Sequence, residues 1–178
     1  MDDATNPAAL RESEERYRFL AETVPVQIWT ALPDGRLDYV SSKAERDFGI
    51  PTARLLDEGW LQVLHPDDVP LAVERWTRSL TTGEHYEIQF RLKIHDGSYA
   101  WHLARAVPQL DAAGRVVRWF GTNTNIEEQR ELQRKTLALL AEVAEEARTM
   151  EATIASMRSE RDAALSRLAA LEAELKSR

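Results

Sequence analysis

The chain has 178 residues, 43% of them hydrophobic and 30% charged, with a net charge of -7 and no cysteine. The acidic balance speaks against nucleic acid as the main partner, because phosphate binding needs a basic face. Without cysteine there is no disulfide, thiolate metal site, Cys nucleophile, cysteinyl-flavin adduct or thioester-linked chromophore.

In chain order, residues 1–9 read as a loose start and 10–24 as a short amphipathic helix, with Leu10, Tyr17 and Leu20 near one face and Pro25 ending it. The acidic start lacks the basic and apolar regions of a signal peptide, and no apolar run approaches the ~18 residues of a membrane span. A cytoplasmic location with no membrane contact is expected. VQIWTAL and RLDYVSS flank Pro33-Asp34-Gly35 and read as a hairpin. Short helical pieces follow. One is stopped by Gly49 and Pro51, and another starts at HPDD, where Pro66 suits a first helical position and Asp67 and Asp68 complement the helix dipole.

HYEIQFRLKI alternates apolar Tyr86, Ile88, Phe90, Leu92 and Ile94 with polar neighbours, as a strand with one buried face does. Two further strands follow, around Tyr99–Val107 and Val116–Thr124, with turns at HDGS and DAAG. On the last strand Trp119 and Phe120 fall on opposite faces, so both faces of the sheet need cover. Asn125 can cap a helix there and Glu128 is spaced to reach back to it, which makes the strand-to-helix join short and stiff. Trp119, Gly121, Asn125 and Glu128 are the candidate signal-transfer junction.

From Leu140 a 3–4 spacing runs unbroken. Leu140, Val143, Ala147, Met150, Ile154, Met157, Arg161, Ala164, Leu168, Leu171 and Leu175 take alternating a and d positions of a coiled coil. A straight helix over 127–178 is roughly 75 Å long, beyond the span of a small domain. Arg161 at an a position tends to fix register and favour two strands, and Arg167 and Glu172 match a g-to-e′ pair in a parallel dimer. Leu132 and Leu139 lie off this seam, which places a phase slip near Thr136.

Together RESEERYRFLAE, PDGRLDYVS, GWLQVLHPDD, HYEIQFRLKIHDGSYAWHLARAV and GRVVRWFGTNTNIEEQ resemble a PAS domain of the bacterial sensor subclass with closing PAC-type strands. The resemblance implies an α+β fold over 25–126. This is a five-stranded antiparallel sheet in order 2-1-5-4-3 with short helices on one face. The N-terminal helix precedes it and a dimeric, parallel coiled-coil signalling helix occupies 127–178. It also implies a homodimer, a downstream effector such as a histidine kinase in a two-component system, and a small-molecule cavity. Ile28, Phe48, Trp76 and His102 are the candidate cavity residues. The usual exit triplet Asp-Ile-Thr reads Asn125-Ile126-Glu127 here, and the usual Asn of the first hairpin is Ser41.

No cofactor is specified. The segment VPLAVERWTRSL, where haem-binding relatives carry an axial His, has none. His65, Asp67 and Asp68 are explained by capping, so no metal is expected. There is no phosphate loop and no catalytic triad, and no histidine follows His102 to accept a phosphoryl group, so an enzyme is not expected. The alternative to a sensor is a ligand-free dimerisation or scaffold module.

Overall fold

A computed structural model describes residues 7–176; residues 1–6 of the expected loose start, and 177–178 of the expected coil, lie outside the described residues. Helix α1 spans Pro7–Thr23, so it begins ahead of residue 10, with the proline at its first position. The side chain of Leu10 also lies outside the description, while Tyr17, Phe19 and Leu20 are exposed.

Strands β1 (Gln27–Ala31) and β2 (Leu37–Val40) form the first hairpin. Gly35 closes it at φ +94, a conformation that only glycine adopts freely; a Cβ there would sit 2.6 Å from Leu80 and 2.8 Å from Trp76. The middle holds α2 (Ser42–Phe48), three short 3-10 turns and α3 (Val69–Thr82). Strands β3 (Tyr86–Lys93), β4 (Tyr99–Leu110) and β5 (Val116–Asn125) follow. All pairings are antiparallel, in the order β2-β1-β5-β4-β3, as expected.

The alternation of β3 is resolved as anticipated: Tyr86, Ile88, Phe90 and Leu92 are buried, whereas Glu87, Gln89 and Lys93 are exposed. Their inner face meets α3, whose Trp76 sits among Trp29, Tyr86 and Trp119 in edge-to-face contacts at 5.7, 5.0 and 5.2 Å between ring centroids. Such aromatic pairs add about 0.5–1.5 kcal/mol each beyond area burial. Trp60 and Trp101 are half-buried.

At the end of α1, the Glu22 carboxylate accepts from Ser42 N–H and Oγ–H and from Tyr39 Oη–H, tying the helix to β2 and the start of α2. These bonds, chiefly those from Ser42, hold its pKa below the ordinary glutamate value.

The chain divides into two units, Met1–Glu128 and Gln129–Arg178. Helix α4, Glu127–Lys176, starts in the first and makes up the second. It is continuous, and side chains of the expected seam from Leu140 to Leu175 are solvent-exposed in the single chain.

Candidate functional site

The core encloses a cavity of about 60 Å³, lined by Trp29, Phe48, Trp60, Trp76 and Phe90 among others, with Gln27 and Asn123 supplying polar groups. Ligand pockets are usually several times larger.

The cavity's amides belong to a hydrogen-bonded chain. Trp29 Nε1–H donates to Asn123 Oδ1 (3.2 Å), Asn123 Nδ2 donates to Gln27 Oε1 (3.3 Å), and Gln27 Nε2 donates to Asp47 Oδ2 (2.8 Å). Lys43 Nζ closes the run on Asp47 Oδ1 at 3.0 Å. A carboxylate only accepts, so Asp47 fixes which end of the Gln27 amide faces it, and the rest of the chain follows. Gln27 is buried, yet both of its side-chain polar atoms are partnered, which removes most of the cost of burying them.

Phe48 and Trp76 line the cavity; Ile28 and His102 are not among its lining residues. For Ile28 this is a correction with a simple cause. Gln27 and Trp29 face inward, so Ile28, paired with Thr122, points to the opposite face of the sheet. His102 does lie on the inner face and is buried, with its ring 6.4 Å from that of Phe48, one layer beyond the cavity wall. Its Nδ1 lies 3.0 Å from the Ala100 carbonyl, which places the proton of the neutral ring on Nδ1. Burial lowers its pKa, although the Ala100 bond opposes the shift.

Gly121 and Trp119 make β5 part of this core. A Cβ on Gly121 would meet Trp29 Cζ2 at 2.2 Å, so glycine is what lets the Trp29 indole lie across the strand. Trp119 is 0% exposed and its Nε1 is buried without a hydrogen-bond partner. That orphan donor costs about 1–3 kcal/mol, which burial of the large ring offsets.

The join to α4 needs no loop. Asn125 pairs with His102 in the ladder and its Oδ1 accepts from Glu127 N–H at 2.9 Å. Ile126 is buried and donates its N–H to the Trp101 carbonyl at 2.9 Å. The acid that binds back to the sheet is Glu127, whose Oε2 accepts from Trp101 N–H at 2.9 Å. The expected partner was Glu128 on Asn125; Glu128 is instead exposed, because the helix begins at Glu127 and it is Glu127 that meets the Trp101 N–H of β4.

At HPDD, His65 Nδ1 accepts from Asp67 N–H and the Asp68 carboxylate is taken by Arg91. Among the described residues no group of three or more His, Asp or Glu side chains is placed to hold a metal ion, and no helix is long and apolar enough to cross a membrane.

This sheet order, with α2 and α3 against one face and a helix leaving β5, defines the PAS fold. Residues 37–123 match the family model for the PAS fold, and the chain carries a PAS domain. The chain is 35% identical over 128 residues to the uncharacterised protein y4lL of Sinorhizobium fredii, covering 72% of this chain and 15% of that one. It is 32% identical over 124 residues to the peroxide stress-activated histidine kinase mak1 of Schizosaccharomyces pombe, covering 67% of this chain and 8% of that kinase. The chain thus spans a small fraction of the length of these curated relatives. Among solved structures, a domain of a putative light and redox sensing histidine kinase from Haloarcula marismortui aligns with TM-score 0.51 and 25% identity, over 63% of this chain and 98% of that one.

Proposed function

We propose that the chain is a cytoplasmic PAS sensory and signal-relay module of the PAC-type subclass. It pairs with a second copy and passes changes in strand packing through a parallel coiled coil to an effector such as a histidine kinase. The observation that carries this reading is the loop-free join. Trp101 on β4 binds the first turn of α4 through both its N–H and its carbonyl, so a displacement of the sheet is handed to the helix. The unbroken seam downstream supplies a reason to dimerise, since apolar side chains such as Ile154 and Leu168 are 38% and 53% exposed in one chain. Exposed Tyr17, Phe19 and Leu20 on α1, and Val107 and Phe120 on the outer sheet face, are further surface for the second copy. The element we take as bistable is the phase of the coil around Thr136–Leu140. The 32% identity to a histidine kinase supports that class of effector.

A second reading has its own support. The cavity is small and its amides are mutually satisfied, as in a ligand-free module that only holds chains together. The test uses the absence of native cysteine. Ile154→Cys, at an a position, faces its own copy in a parallel dimer and should cross-link to completion under mild oxidation. Sedimentation should give twice the monomer mass at micromolar concentration. A monomer sinks both readings, whereas a dimer whose native mass shows no bound small molecule, under any extract tested, favours the scaffold.

A further inference from the structure

The HPDD turn and the exit helix grip neighbouring strands in the same way. On β3, at the edge of the sheet, Arg91 donates its N–H to Asp68 Oδ2 (2.8 Å) and its carbonyl accepts from His65 N–H (2.9 Å). The guanidinium of Arg91 closes on the same carboxylate, Nε to Oδ2 at 3.0 Å and Nη2 to Oδ1 at 2.7 Å. Directly opposite on β4, Trp101 has its N–H and carbonyl taken by Glu127 Oε2 and Ile126 N–H. Because both residues turn their backbone groups away from each other, they are a non-hydrogen-bonded pair, the type whose side chains approach most closely. The Arg91 guanidinium carbon accordingly sits 5.5 Å from the centroid of the Trp101 ring.

We propose that Arg91 and Trp101 form a crossbar coupling the HPDD turn, at the head of α3, to the first turn of α4, with Arg91 as its positioning residue. Each end is clamped by two backbone bonds, and the planar guanidinium, held by a bidentate carboxylate, has one orientation to offer the indole. Helix α3 also carries Trp76 into the cavity wall, so a shift of α3 reaches Asp68 and, across two residues, the start of α4. The signalling use of this crossbar rests on the reading of α4 as the output element; the coupling itself does not.

Amide hydrogen exchange by NMR on the intact chain tests it, using Asp68→Asn and Arg91→Lys. The reporter is the Ile126 N–H and the folding control is the Ser41 N–H, bonded to the Ile28 carbonyl in the first hairpin. Exchange at Ile126 should accelerate about tenfold in both variants, with Ser41 unchanged. Faster exchange confined to Arg91 and His65, with Ile126 as in the wild type, overturns the crossbar. So does equal acceleration at Ile126 and Ser41, which reports global loosening. The measurement reads the same in a monomer, so failure to dimerise removes the output reading and leaves this result standing.

Discussion

The two units of this chain treat apolar side chains in opposite ways. In the first, Trp119 and Leu92 are sealed in a core that a single chain completes. In the second, a leucine of the seam such as Leu168 is about half exposed along a helix with no interior of its own. Within the first unit the contrast recurs between adjacent residues of β5, where Trp119 is 0% exposed and Phe120 44%. The lesson is that sequence periodicity marks which side chains want burial, and only the fold shows which of them are satisfied within one copy. The set left exposed, on α4, on α1 and on the outer sheet face, is the surface that the proposed pairing would cover.

The contrast is broken most strongly from the core side. Trp119→Ala removes a buried indole and should cost about 3–5 kcal/mol, read as a lower unfolding midpoint in urea, while the sedimenting mass of the full chain without urea should stay as in the wild type. The reciprocal change is Ile154→Asp, which should abolish dimers in sedimentation and leave the urea midpoint of the first unit where it was. A drop in that midpoint would show that the seam serves the fold of one chain rather than its pairing. A smaller effect should follow from Arg161→Leu. The Arg161 guanidinium is held by Asp162 of its own chain, so its charge stays at a position that prefers apolar packing. Replacing it should tighten the dimer by on the order of tenfold, about 1.4 kcal/mol, and loosen the choice of two strands, seen as higher oligomers at high concentration.

Much of this was legible in the residues. The period-2 pattern of β3 and the 3–4 spacing of α4 are direct consequences of how strands and helices present side chains, and both elements stand where the pattern puts them. The sheet order came from the resemblance instead, since pairing is non-local. What failed was local in sequence but set by distant partners. Ile28 looks like a core residue beside a polar Gln27, yet β1 pairs with β5 in a register that turns Gln27 inward, where Asn123 and Asp47 satisfy it. Glu127 and Glu128 are indistinguishable as helix-start acids until β4 supplies the Trp101 amide to one of them. A polar residue flanked by β-branched neighbours, as Gln27 is by Val26 and Ile28, was the available sign of a buried amide chain.

The finest test of the sealed unit is its response to acid through His102. Burial depresses the pKa of this imidazole below its ordinary value of 6.5, so the unfolded chain takes up a proton that the folded chain resists. Stability from the neutral ring is therefore complete above the unfolded value and is lost as pH falls from about 6.5 toward the lower folded one. Asp68 works in the same direction but further down: its bonds to Arg91 depress its pKa below 3.8, so its contribution disappears only in stronger acid. Urea midpoints should accordingly decline between pH 7.5 and 5 in the wild type, and a His102→Gln variant, neutral throughout, should lose that slope while keeping the acid transition below pH 4. An unchanged slope in the variant would mean that the acid response arises outside the core, on the exposed side of the comparison.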